Sequence, residues 1–133
     1  MAAEEQSKMI GAHQLLLEPD VILIRQHGDY HLSDAHQVAD EINAIQRRYG
    51  QMFMIIDQTQ AGTTPPESRR FLAEWNKQNA LRGVAIFGGS PTVRALATLI
   101  TTAIRLFRSD SSPLVFTANE AEARAWIDAQ RTK

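Results

Sequence analysis

Four places along this chain hold residue types that could do chemistry. Thr63, Thr64 and Ser68 surround Pro65-Pro66-Glu67, which bring hydroxyls to the start of a helix. Prolines are at home there, because the first-turn amides have no intrahelical partner to lose. A phosphoryl group on any of these hydroxyls would meet the positive end of the helix. The same residues also satisfy a purely structural pattern. Thr64-Pro-Pro-Glu67 has the spacing of a capping box, in which Thr64 accepts from the Glu67 amide and the Glu67 carboxylate reaches back.

The second place is Gly88-Gly89-Ser90-Pro91-Thr92. Its glycines let a backbone approach a ligand, and the helix start opened by Pro91 attracts anions. It lacks the lysine of a phosphate-binding loop and the three-glycine dinucleotide spacing. A plain strand-to-helix turn, with Ser90 as cap, explains it equally. The third place is Asp57, at the end of the apolar run that starts at Met52, with Thr59 opening the loop beyond. Strand ends of this kind carry ligand contacts in open α/β sheets. A lone carboxylate, however, is not an acid–base pair. The fourth is His27, Asp29 and His31, which would share one face of an extended strand. Gly28 breaks that strand, so a solvated loop is expected and no metal site. No serine lies in a nucleophile elbow. The expectation is therefore no catalytic residue, no metal and no cofactor.

The elements that position these residues follow from periodicity. His13 to Glu18 and Val21 to Gln26 are apolar runs joined by Pro19-Asp20, as in an antiparallel hairpin. Ala35, Val38, Ile42, Ile45 and Tyr49 have helical spacing, with Ser33 placed to cap and Gly50 to stop. Met52 to Asp57 is apolar throughout, as a strand covered on both faces should be. A helix from Pro65 to about Asn79 buries Phe71, Leu72 and Trp75, and Gly83 to Gly88 is another buried strand. Pro91 opens a long helix to Arg108; Leu114 to Thr117 is a strand; Thr117-Ala-Asn-Glu120 caps a last helix. The order ββαβαβαβα implies an α/β fold, a mostly parallel sheet of four or five strands with helices packed on it. Residues 1–11 read as a flexible lead-in and 12–131 as one domain.

The long helix after Pro91 is unusual. Val93, Leu96, Ala97, Ile100, Ala103, Ile104 and Phe107 already form a stripe able to cover a sheet. Leu99 and Leu106 widen it, while Arg94, Arg105 and Arg108 lie on the remaining ridge. The extra apolar width is expected either between neighbouring helices or against something outside the monomer, such as a second copy or a lipophilic ligand.

Composition excludes several roles. With 133 residues, 44% hydrophobic and 22% charged, the chain is of ordinary globular make-up. Its net charge of −1 gives no bias toward nucleic acid or anionic membranes. It has no cysteine, so thiol chemistry is absent, and a cytoplasmic setting is expected. No apolar run is long enough for a membrane span.

GDYHLSDAHQVADEI, Gly28 to Ile42, resembles the strand end and following helix of STAS domains, the domains of sulphate transporters and anti-sigma factor antagonists. MIIDQT, Met54 to Thr59, resembles their strand ending in aspartate. FTANEAEARAWI, Phe116 to Ile127, is similar to their closing strand and alanine-rich last helix, most closely in the sporulation-antagonist-like (SpoIIAA-like) branch. The resemblance implies a non-enzymatic signalling module that binds a protein partner. It implies as an alternative a carrier or sensor of a small lipophilic or anionic ligand. Family members that work as phosphorylation switches carry Asp-Ser-Ser-Gly at the second helix, where this chain has Thr63-Thr64-Pro65-Pro66-Glu67-Ser68. The binding residues expected are Asp57, Thr59, Thr63, Thr64, Ser68, Gly88, Gly89, Ser90, Arg94, Leu99 and Leu106, with a homodimer as one outcome.

Overall fold

The computed structural model describes residues 6–50, 52–79, 81–92, 94–95 and 113–132. In chain order the elements are β1 (Gln6–Ile10), β2 (His13–Leu17), β3 (Val21–Gly28), α1 (Leu32–Tyr49), β4 (Phe53–Ala61), α2 (Pro66–Gln78), β5 (Gly83–Phe87), β6 (Leu114–Thr117) and α3 (Glu120–Arg131). Residues 91, 92, 94 and 95 are helical, as Pro91 demands, and the remainder of the helix expected to Arg108 lies outside the described residues.

The strands lie in one sheet in the order β1-β2-β3-β4-β5-β6. β1 to β3 are antiparallel neighbours, and β3 to β6 run parallel. The sheet has six strands where the sequence suggested four or five. The additional strand is β1, which lies within the expected lead-in. Residue alternation explains it: Ile10 turns inward and is fully buried, while Lys8 on the same face reaches Glu41 of α1. Met9, on the opposite face, is exposed.

Parallel crossovers of one hand place α1 and α2 on the same face of the sheet. Leu15, Ile22, Ile24, Met54, Val84 and Ile86 point to that face and pack with Ala35, Val38 and Ile42 of α1. Phe71, Leu72 and Trp75 of α2 join this layer. The alternate residues Val21, Leu23, Phe53, Ile55, Ala85 and Phe87 point to the other face, where Ala123, Trp126 and Ile127 of α3 cover them. α3 can sit close because small residues line its path. At Gly83 an added Cβ would lie 3.0 Å from the Trp126 ring and 3.1 Å from that of Phe53.

Helix ends depart from the expected caps. α1 begins at His31, not Ser33, and the Asp34 carboxylate accepts from the His31 amide at 3.1 Å. Gly50 closes α1 at φ 87°, the left-handed conformation that favours glycine. α2 is preceded by Pro65, not Thr64, and has no side-chain cap. α3 is capped by Asn119 rather than Thr117: its side chain accepts from the Glu122 amide at 2.9 Å, and Glu122 in turn accepts from the Ala118 amide at 2.7 Å. Among the described residues, no helix is long and apolar enough to cross a membrane.

Candidate functional site

The candidate residues gather at the carboxyl ends of the parallel strands. β3 and β4 pair in step as far as Arg25 opposite Asp57, and then the register shifts, with His27 opposite Gln60. The extra residue is a bulge at Gln58-Thr59, a device that re-aims side chains at a strand end. Asp57 fixes it. Its Oδ1 accepts from the Thr59 amide at 2.9 Å and from the Thr59 hydroxyl at 2.6 Å. Its Oδ2 accepts from Arg25 Nη1 at 2.9 Å. Thr59 then packs on β5's exit, where a Cβ at Gly88 would lie 2.4 Å from Thr59 Oγ1. Gly88 also has φ 82°, so glycine is required there on both counts.

Arg25 connects this corner to α3. Its Nη2 donates to Glu120 Oε1 at 3.0 Å, and Glu120 Oε2 accepts from Arg124 Nε at 3.0 Å. Arg124 then forms a two-pronged pair with Glu18, at 3.1 and 2.8 Å. Partial burial pushes the Asp57 carboxyl up, but the Thr59 and Arg25 hydrogen bonds outweigh it and hold the group below its ordinary value. Glu120 is likewise held low, its burial outweighed by Arg124 and Arg25. The Arg124 guanidinium is raised, first by its bond to Glu18.

A second clamp joins the β3–α1 turn to the β4–α2 loop. Asp29 Oδ1 accepts from the Thr63 amide at 2.8 Å and from its hydroxyl at 3.0 Å. The Tyr30 amide donates to the Thr63 carbonyl and the Gly62 amide to the Gly28 carbonyl, at 2.9 and 2.8 Å. The bond from the Thr63 amide, followed by that from its hydroxyl, holds the Asp29 carboxyl below its usual range.

Beneath this turn His13 is completely buried. Its Nδ1 accepts from the His27 amide at 3.0 Å, which leaves Nε2–H to face Asp34 Oδ2 and the Asp29 carbonyl, each at 3.2 Å. Tyr30 stands edge-on to it at 5.2 Å, and burial, helped by Asp34, raises the Tyr30 phenol. Both His13 nitrogens are committed to structure.

The expected site residues thus separate. Asp57, Thr59, Thr63 and Gly88 share two touching strand ends and the loop between them. Gly89, Ser90 and Arg94 follow β5, with Arg94 over the Phe116 ring at 5.3 Å. Thr64 is half-buried, and its carbonyl accepts from Arg69 Nη1 at 3.0 Å. Ser68 is fully buried, so its hydroxyl is closed to a kinase in this conformation. Leu99 and Leu106 lie outside the described residues. His27, Asp29 and His31 do not converge: among the described residues no three acidic or histidine side chains are placed to hold a metal ion.

Arg25, Glu120 and Arg124 were missed as site residues. A signal existed for the first. Val21, Leu23 and Arg25 alternate on one face, and an arginine on a buried face needs acidic partners. In chemical terms the corner is a cluster of paired charges, Asp57, Arg25, Glu120 and Arg124. Asp57 is ionised with both oxygens engaged, which makes it a poor general base.

No family model matches the sequence, and no curated protein matches it. Among solved structures, the fold is similar to that of the anti-sigma factor antagonist SpoIIAA in its unphosphorylated form. The TM-score is 0.57 with 15% identity, over 94% of this chain and 98% of that one. At that identity the likeness speaks for the fold alone, a STAS-like one.

Proposed function

We propose that this chain is a non-enzymatic, cytoplasmic regulatory module that docks a protein partner through the loops at the carboxyl ends of β3, β4 and β5 and the start of α2. The observation that carries this reading is the pair of aspartate clamps. Asp57 and Asp29 spend their carboxylates on holding Thr59 and Thr63 in place, which makes a preformed surface and leaves neither aspartate free to act as a base. A preformed surface avoids the ordering cost of binding. The likeness in fold to an anti-sigma factor antagonist supports it. Docking here does not use the Asp-Ser-Ser-Gly switch, since that motif is absent and Ser68 is buried.

The test is affinity capture followed by reconstitution with the purified partner and calorimetry. Gln60→Arg combined with Glu67→Arg, both exposed on this surface, should weaken the complex by at least about tenfold. Ala129→Arg, exposed on α3, should leave it unchanged. Equal loss from both would place the docking surface elsewhere. Sequence alone supports a homodimer through Leu99 and Leu106, which Leu99→Asp with Leu106→Asp should dissociate in sedimentation.

A further inference from the structure

The turn that carries Asp29 rests on a buried histidine. His13 of β2 is completely buried, and each of its ring nitrogens faces groups of one kind. Nδ1 faces the His27 amide, which only donates, at 3.0 Å. Nε2 faces Asp34 Oδ2 and the Asp29 carbonyl, both acceptors, each at 3.2 Å. These partners fit one state of the ring, neutral with its proton on Nε2. A second proton on Nδ1 would point at the His27 N–H, donor against donor. The residues that would have to yield lie at the surface. His27, Gly28 and Asp29 are exposed, and nothing lies within 4 Å of where a Gly28 Cβ would be. The β3–β4 register also shifts here, between Arg25 and His27. The same turn holds the second clamp. The Gly28 carbonyl accepts from the Gly62 amide, the Tyr30 amide donates to the Thr63 carbonyl, and Asp29 holds Thr63.

We propose that His13 is a proton-operated latch beneath the docking surface. In its neutral form it holds the His27 amide and with it the β3–α1 turn; on acidification it releases that turn while the rest of the fold stays formed. The charged ring has a place to stay. Asp34 of α1 lies beside Nε2, so the imidazolium is paired where it stands and need not leave the core. The neighbouring titratable groups keep their charge state meanwhile. Tyr30 stands edge-on at 5.2 Å, and burial raises its phenol. The Asp29 carboxyl is turned to Thr63, which holds it below its ordinary value. Arg25 belongs to the other face of the sheet, with Asp57 and Glu120. His27, His31 and His36 are exposed. The release is local because one backbone bond joins the ring to an exposed turn, whereas β2 itself is paired along its length with β1 and β3. Short exposed segments open at a smaller cost than the whole fold. The latch rests on the docking reading for its use, and on the bonds of the ring for its existence.

The chain has 4 histidines, so His27→Gln, His31→Gln and His36→Gln together leave His13 as the sole imidazole. Ring nitrogens and backbone amides of this ¹⁵N-labelled full chain are followed by NMR from about pH 8 to about pH 5, the span in which histidines commonly change charge. At the upper end the ring should be neutral with its proton on Nε2. On acidification the amides of position 27, Tyr30, Gly62 and Thr63 should shift with the same midpoint as the His13 ring nitrogens. Their protection against hydrogen exchange should fall by at least about tenfold, while the amides of Ile55 and Ala85 keep theirs. His13→Asn keeps an acceptor near the place of Nδ1 and cannot be charged, so in it the transition should vanish. If His13→Asn does not fold, the sole-histidine protein decides alone. A ring that stays neutral throughout overturns the latch, as does one that takes up its proton without moving the Thr63 amide. Loss of protection at Ile55 together with Thr63 overturns it too, since the whole fold then opens. A His13→Asn protein that keeps the transition does the same. The chain is measured without a partner, so a failure of the loop substitutions that test docking leaves the latch standing.

Discussion

The two faces of the sheet are built on different rules. Under α3, contact is close and every charged group named above is paired. Gly83, Ala85 and Ala123 let the helix approach, and the chain Thr59–Asp57–Arg25–Glu120–Arg124–Glu18 fastens its first turns to β3, β4 and the end of β2. At the far end of α3, Arg131 pairs with Asp20, and its guanidinium lies 5.8 Å from the Phe53 ring, with Arg82 at 5.0 Å. Under α2, contact is made by large side chains, the helix has no side-chain cap, and polar atoms stay unbonded. One face is closely packed and charge-paired, and the other is more loosely fastened. The difference teaches that the two layers of the same sheet are held by different means, ion pairs and close approach on one side and large side chains on the other.

Adjacent residues of β4 give the strongest test of that difference. Ile55 is fully buried under α3, while Ile56, facing α1 and α2, is only half-buried. Ile55→Ala should cost about 3–4 kcal/mol, and Ile56→Ala should fall at the low end of the range for such truncations, about 2 kcal/mol. Urea unfolding of both variants measures the gap. Equal losses would mean that the α2 side is packed as tightly as the α3 side.

Overpacking the close face should come next in size. Gly83→Ala puts a methyl group 3.0 Å from the Trp126 ring and 3.1 Å from that of Phe53, both aromatic and hemmed in. A loss of about 1–3 kcal/mol is expected, as for other small-to-large changes in a packed layer. Trp126→Leu made together with it should recover part of the loss. No recovery would show that the strain falls on Phe53 instead.

The charged chain predicts a pH dependence. Asp57, Asp29 and Glu120 have folded-state values below their ordinary ones of 3.8, 3.8 and 4.5. The unfolded chain therefore binds more protons than the folded one in this window, and stability rises with pH. Their contribution is complete above about pH 5 and is lost as pH falls through 4.5 and below the folded-state values. Asp57→Asn should be less stable than wild type at pH 7, by about 1 kcal/mol for a partly buried pair. That difference should close as the pH approaches the acid limb. Denaturation midpoints at a series of pH values read it directly, and a constant difference would assign the effect to lost shape, not lost charge.

Much of this architecture was legible from the chain. Buried runs such as Met52–Asp57 and Gly83–Phe87 read as strands because both their faces are apolar, and the Pro19-Asp20 turn gave the β2–β3 hairpin. β1 was not legible, because QSKMI is short and its one buried apolar residue, Ile10, makes no pattern alone. The Asp57 corner was half legible. A strand-end aspartate marks a site, but its link to Glu120 joins residues 63 positions apart in sequence that meet only once β3 carries Arg25 between them. Caps were misplaced by one or two residues, since several hydroxyl and carboxamide side chains lie near each helix start and packing selects among them.

The smallest effects should come from those caps, and they return to the contrast between the helices. At α3 the Asn119 side chain satisfies the Glu122 amide, and Asn119→Ala should cost about 1 kcal/mol. At α2 the corresponding position is Pro65, and Thr64 precedes it with no side-chain bond to the helix. Thr64→Ala should therefore change stability by less than about 0.5 kcal/mol, the range of substitutions that remove no specific contact. Thermal melts of the two variants at one pH decide the matter. A Thr64→Ala loss as large as that at Asn119 would mean that Thr64 caps α2 in solution after all. The α2 start would then be as firmly fastened as that of α3, and the looser fastening of this side of the sheet would have to lie deeper, under α2 itself, where the Ser68 hydroxyl and the Trp75 indole have no partner.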